Sequence, residues 1–199
     1  MKSSTFQLTA TAVLAALVLL FGLTPIGLIP LGFINLTILF IPVIVGTLLL
    51  GLESGLILGA CFGLASTLSA FGMSMTPPSG LAFQLAQRNP LLAVLMCFIP
   101  RLLVPTVTHF THKLVKRTKL HAVPAMSVAA VAGTVTNTIF YLGLMLLFYI
   151  ASGIDAAPVL TVIATVAAVA GGTEAAVAAI LIPPIVTALG RIPSKRSKD

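Results

Sequence analysis

Fifty consecutive residues, Ser3 to Leu52, carry no charge, and they are followed by 34 more from Ser54 to Gln87 and 35 from Leu120 to Ile154. A helical crossing of a bilayer takes about 20 predominantly apolar residues, so these stretches predict membrane helices. The first stretch must cross twice, turning where Pro25, Gly27, Pro30 and Gly32 cluster. Of the 199 residues 8% are charged and 58% hydrophobic, whereas a soluble domain carries roughly a quarter charged residues. That composition excludes a soluble enzyme, a disordered linker and a nucleic-acid-binding module. Lys2 followed by Leu8 to Leu23 has the outline of a secretory signal, but Thr24-Pro25 is a poor small-residue cleavage site. The segment is therefore expected to be the first membrane helix.

Six helices are predicted, at Thr5 to Leu23, Asn35 to Leu50, Ser54 to Phe71, Asn89 to about Val115, Val123 to Ile150 and Ala157 to Leu189. Glu53 marks the tight turn before the third, which stops at the Gly72 to Gly80 segment with its Pro77-Pro78 pair. The expected fold is an all-α integral membrane protein, a six-transmembrane-helix bundle forming one domain over residues 1–199 with a short basic C-terminal tail. An even number of crossings puts both termini on one side. Nine of the 11 basic residues fall there: Lys2; Lys113, Lys116, Arg117 and Lys119; and Arg191, Lys195, Arg196 and Lys198. The positive-inside rule makes that side cytoplasmic, so the net charge of +7 reports orientation, not a surface for DNA or RNA. The opposite connections, Thr24 to Ile34, Gly72 to Arg88 and Ala151 to Ala156, are uneven and rich in Gly and Pro, as binding or gating loops are. No similarity between the two halves is evident, which favours an asymmetric bundle over an inverted-repeat transporter.

Within the helices, small residues recur at four-residue spacing: Ala12 and Ala16 on the first, Gly55, Gly59 and Gly63 on the third. Helix association in lipid depends on close backbone approach. The glycine stripe is expected to pack inside the bundle, while Ala12 and Ala16 suit either the bundle or a second membrane protein. Three polar residues are costly where they stand. Arg101 follows Pro100 in the fourth helix, Glu174 lies midway along the sixth, and Asn137 shares a face of the fifth with Gly133 and Tyr141. A charge at the bilayer centre costs at least about 2.5 to 3.5 kcal/mol. Arg101 and Glu174 form a buried ion pair, or Arg101 snorkels to the headgroup region, or they converge with Asn137 on a pocket where the guanidinium fork suits a carboxylate, and pairing and pocket are compatible. His109, His112 and His121, beside Lys and Arg, fit a solvated interfacial face better than a metal site. Asn35-Leu36-Thr37 matches a glycosylation pattern, but an N-cap role for Asn35 is simpler. Gln84, Arg88 and Asn89 are placed to line an outer mouth.

Cys61 and Cys97 lie in apolar segments without a C-x-x-C or a His neighbour, so neither a disulfide framework nor a zinc site is expected. No phosphate-binding loop, H-E-x-x-H or G-x-S-x-G is present, so direct ATP use and intramembrane catalysis are disfavoured, and no cofactor is expected.

Several segments together carry a resemblance: Ala12-x-x-x-Ala16, Ile29-Pro-Leu-Gly-Phe-Ile-Asn-Leu-Thr37 leading into Ile41-Pro-Val-Ile-Val-Gly46, Phe98-Ile-Pro-Arg-Leu-Leu103, Gly133-Thr-Val-Thr-Asn-Thr138, and Thr173-Glu-Ala-Ala-Val177 with Pro183-Pro184. They resemble the substrate-binding S-component of energy-coupling factor (ECF) vitamin transporters, most closely the pantothenate-type members. The resemblance implies a high-affinity vitamin-binding subunit that works with a transmembrane T-component and two cytoplasmic ATPases, which would explain the missing phosphate loop. It implies that Ala12 and Ala16 face the T-component, and that the outer loops and the last three helices form the pocket. Asn35, Gln84, Arg101, Asn137, Tyr141 and Glu174 fall in those elements and form the expected substrate-binding set. The absence of Trp and the presence of two Tyr favour an aliphatic ligand over a flat heteroaromatic one, which is commonly held by stacking. The competing expectations are an S-component for another vitamin or related small metabolite, a stand-alone carrier or channel using Arg101 and Glu174 as an ion relay, and a membrane scaffold in which the two form a structural pair.

Overall fold

The computed structural model describes residues 4–30, 35–118, 121–165 and 167–190. In chain order the elements are α1 (Ser4–Leu23), β1 (Leu28–Pro30), β2 (Asn35–Thr37), α2 (Phe40–Leu50), α3 (Leu52–Ala70), α4 (Gly80–Arg88), α5 (Pro90–Lys116), α6 (Ala122–Ala151), α7 (Ala157–Thr165) and α8 (Ala167–Gly190). Among the described residues five helices are long and apolar enough to cross a membrane: α1, α3, α5, α6 and the Gly171–Gly190 part of α8. The α2 helix is apolar but has 11 residues, about 16 Å of length. Lys2, Lys119 and the tail cations Arg191, Lys195, Arg196 and Lys198 lie outside the described residues.

The structure revises the expected boundaries. The second helix begins at Phe40, not Asn35, because Asn35–Thr37 pairs antiparallel with Leu28–Pro30, Leu28 opposite Thr37. Asn35 therefore does not cap a helix. In the turn before α2 the Thr37 hydroxyl accepts from the Leu39 N–H at 3.1 Å. The turn before α3 is made by Gly51, at φ +99°, where Glu53 was expected to mark it. Glu53 instead occupies the first turn of α3, where a carboxylate suits the helix dipole. The connection expected over Gly72 to Arg88 contains α4, whose Leu81, Ala82, Leu85 and Ala86 are buried at helical spacing. Asn89 starts α5 as expected, its side chain accepting from Leu92 N–H, with Pro90 in the first turn where its missing N–H costs nothing.

Two apolar clusters build the interior. One joins Val18, Phe40, Val43, Ile44, Leu58, Phe62, Val104, Ala130, Ala178 and Ile182. The other joins Leu81, Leu85, Met96, Cys97, Leu142, Met145, Tyr149, Val159 and Val162. Arg101 falls between Cys97 and Val104 on α5, Asn137 between Ala130 and Leu142 on α6, and Glu174 between Val162 and Ala178 on α7 and α8. Each polar residue thus stands where its stretch of chain passes from one apolar cluster to the other.

The glycine stripe packs inside the bundle, as expected. A Cβ at Gly59 would lie 2.7 Å from the Arg101 carbonyl oxygen, and one at Gly63 would lie 2.9 Å from the Phe98 ring. Pro105 has no N–H to give the Arg101 carbonyl, so that oxygen is turned toward α3 at Gly59 without its helical donor. Pro183 likewise frees the Ala179 carbonyl, which accepts from the Ser127 hydroxyl of α6 at 2.9 Å. Ser127→Ala is expected to destabilise the protein by about 0.6 kcal/mol, at most about 1.7, the range for such bonds between membrane helices. In a Pro183→Ala background, where the carbonyl regains its own donor, the loss should shrink; denaturant unfolding of the four proteins in micelles measures the difference. At the other side of the bundle, Gln7 donates to the Leu50 carbonyl at 2.6 Å and Thr11 to the Ser54 hydroxyl at 2.9 Å. These bonds fix α1 so that Ala12, Val13, Ala16 and Leu17 face outward.

Candidate functional site

Arg101 is 7% exposed, although it lies twelfth in a 27-residue apolar helix. Its guanidinium carbon stands 4.3 Å from the centre of the Tyr141 ring and 5.1 Å from that of Phe62. The cation therefore lies over two aromatic rings, one from α6 and one from α3, contacts that stabilise a desolvated guanidinium. Stacking leaves the edge of the guanidinium plane for hydrogen bonding, yet Nε and Nη1 are buried without a partner. Asn137, 6% exposed, has its side-chain oxygen buried and unpartnered as well. Buried polar groups in proteins are nearly always satisfied, so these atoms call for partners.

Glu174 is 8% exposed, and its Oε1 accepts from the Thr37 N–H at 3.2 Å. The carboxylate therefore ties α8 to β2 and to the entry of α2. The Thr138 hydroxyl of α6 is within its reach, and the Arg101 charge acts on it through space. Among the described residues no direct ion pair joins Arg101 and Glu174. A Cβ at Gly171 would approach the Thr138 methyl to 3.2 Å, so a glycine one turn before Glu174 lets α8 come close to α6.

Tyr141 is half-buried and covers Arg101, and its hydroxyl lies beside the buried Ser79 that precedes α4. Gln84 stands apart from this group, exposed on α4, with its side-chain amide 3.3 Å from the Tyr149 hydroxyl. The same hydroxyl donates to the Leu81 carbonyl at 2.6 Å, which docks α4 on α6. Asn35 lies in β2 opposite Pro30, and its side chain lies outside what the structure describes. The structure thus puts Tyr141 against Arg101 and lets the Arg101 charge reach Glu174, while Asn137 is buried on α6 one turn before Tyr141. Sequence reasoning missed Phe62, and a signal for it existed: an aromatic between Gly59 and Gly63, on the helix that the glycines bring against α5.

His109 and His112 are half-buried and His121 is exposed, with the His109 ring edge-on to Phe110 at 5.6 Å between centroids. Among the described residues no three His, Cys, Asp or Glu side chains are grouped to share a metal ion.

The ECF transporter substrate-specific component family matches residues 6–186. The chain belongs to that family. The matched span includes both apolar clusters and every residue of the site. This substrate-specific component is also 34% identical over 121 residues to the pantothenic acid transporter PanT of Lactococcus lactis subsp. cremoris (strain MG1363). That match covers 57% of this chain and 57% of PanT, so it spans somewhat over half the length of the curated relative. Family and apolar helices together make this component a multi-pass protein of the bacterial cell membrane.

Proposed function

We propose that this chain is the high-affinity pantothenate-binding subunit of an ATP-driven ECF importer. The observation that carries the reading is the buried Arg101, lying over Phe62 and Tyr141 with Nε and Nη1 unpartnered. Pantothenate is a hydroxylated amide ending in a carboxylate, and a guanidinium edge takes a carboxylate through paired charge-assisted bonds. Asn137 takes the amide, Glu174 faces the hydroxyl-bearing end, and Gln84 lines the mouth. Similarity to a pantothenic acid transporter supports this choice of ligand.

In this reading the chain is one domain that crosses the membrane six times, with the short apolar α2 as one of the crossings. Both termini and the basic tail are cytoplasmic. The chain itself is not an enzyme: ATP is hydrolysed by two cytoplasmic ATPases, coupled through a transmembrane T-component that docks on Ala12 and Ala16. Both alanines are exposed on α1 beside Val13 and Leu17, which supports a helix partner requiring close backbone approach.

A thermal-shift and calorimetric screen of purified protein against water-soluble vitamins tests the ligand. Stabilisation by pantothenate is expected; stabilisation by another vitamin alone would replace the ligand and keep the family. Ala12→Leu with Ala16→Leu should leave pantothenate affinity unchanged while abolishing co-purification with the T-component and uptake. Loss of vitamin binding in that variant would refute the interface.

A further inference from the structure

Among the described residues Glu174 stands in surroundings with a single counter-charge. The elements packed most extensively against α8 are α2, α6, α7 and β2. None of them contains Asp, Glu, Lys, Arg or His, and Glu174 is the one charged residue of α8 itself. The groups at its carboxylate are the Thr37 N–H from β2 and the Thr138 hydroxyl from α6. Of the titratable groups on these elements, Tyr141 lies against Arg101 and Ser79, and Tyr149 bonds Leu81 and Gln84. The charge reaching Glu174 is that of Arg101 on α5, beside which lies the thiol Cys97.

With both ionised, Arg101 and Glu174 sum to zero. An anionic ligand on the unpartnered edge of Arg101 brings a second carboxylate into a buried site that holds one cation. The ligand carboxylate takes up the Arg101 charge that otherwise acts on Glu174, and in a poorly screened interior the two carboxylates disfavour each other's ionisation even from opposite ends of the ligand; the described elements around α8 offer no second cation. Given the pantothenate reading above, we propose that Glu174 takes up one proton as the ligand carboxylate docks on Arg101, so that anion and proton enter the site together. The proton comes from solvent and forms an O–H bond on the Glu174 carboxylate, no bond of the ligand breaks, and the site is neutral before and after. The protonated carboxyl keeps an oxygen to accept from Thr37 and gains a donor for a ligand hydroxyl.

Calorimetric titration of the solubilised protein with pantothenate, at one pH in buffers of different ionisation heat, counts the protons bound per ligand. Uptake approaching one proton is expected at about pH 8, with affinity falling by up to about tenfold per pH unit. Glu174→Gln retains an acceptor for Thr37 and cannot titrate, so its uptake should vanish and its affinity become flat with pH. The primary amide of pantothenate, which brings no charge, should bind the wild-type protein without uptake, a result that does not depend on the variant folding. Pantothenate binding without proton uptake overturns this proposal alone, and equal uptake by Glu174→Gln overturns the assignment to Glu174. Absence of binding by folded wild-type protein overturns the pantothenate reading and this inference with it.

Discussion

Arg101→Ala is expected to raise the Kd for pantothenate by roughly 30- to 5,000-fold, the equivalent of about 2 to 5 kcal/mol for truncating one partner of a buried, hydrogen-bonded charge pair. The large effect follows from the setting. Arg101 is 7% exposed, and its Nε and Nη1 have no protein partner to keep when the ligand is absent. Their bonds to a ligand are therefore gained on binding, with no protein bond to break first. Lysine is a poor substitute, because a point charge lacks the planar fork and cannot stack on Tyr141 and Phe62 in the same way; Arg101→Lys should recover only a small part of the affinity. Stability without ligand should move in the opposite sense to affinity. Arg101→Met fills the space over the rings without burying an unsatisfied cation, and such exchanges are often neutral or stabilising. Calorimetry for affinity and thermal unfolding without ligand separate the two effects. An Arg101→Ala protein that binds pantothenate as tightly as wild type would remove the carboxylate anchor from the mechanism.

The sequence made most of the bundle legible because charge exclusion and length act on whole helices. α1, α3, α5 and α6 start and end within one or two residues of the expected positions. What it did not reveal depends on neighbours distant in the chain. Asn35–Thr37 is extended because β1 supplies its ladder and because Glu174, 137 residues away, takes the Thr37 N–H. A propensity argument has no access to either partner. The short α4 was hidden by the Gly and Pro before it, and its apolar residues become a helix face when Tyr149 provides a dock. For the site, Arg101, Asn137 and Glu174 stood out through the cost of burying them. Phe62 did not, since an apolar ring in an apolar helix carries no such signal. Its role follows from the glycines on either side, which set the separation of α3 and α5.

That separation predicts the second large effect. Gly59→Ala is expected to destabilise the protein by about 1 to 3 kcal/mol, the usual cost of overpacking, and Gly59→Leu to prevent native packing of α3 on α5. The Cβ would meet the Arg101 carbonyl oxygen at 2.7 Å and Pro105 Cγ at 3.2 Å. The first obstacle is backbone, so no rotamer change relieves it and the helices must move apart. At Gly63 the obstacle is the Phe98 ring, a side chain that can turn aside, so Gly63→Ala should cost less. A Cβ at Gly172 would meet nothing within 4 Å, and Gly172→Ala should be neutral or stabilising by up to about 1 kcal/mol through helix propensity. Ligand affinity distinguishes this account from a general loss of packing. Arg101 and Phe62 sit on the two helices that Gly59 holds together, and a cation–π contact in a desolvated site is worth about 2 kcal/mol. Gly59→Ala should therefore weaken pantothenate binding by about tenfold, about 1.4 kcal/mol of that contact, even at temperatures where the variant is fully folded. Gly63→Ala, one turn farther from Arg101, should change affinity little. If Gly59→Ala lowered the Tm but left the Kd unchanged, the spacing of α3 and α5 would govern stability alone, and Phe62 would have no part in presenting Arg101 to the ligand.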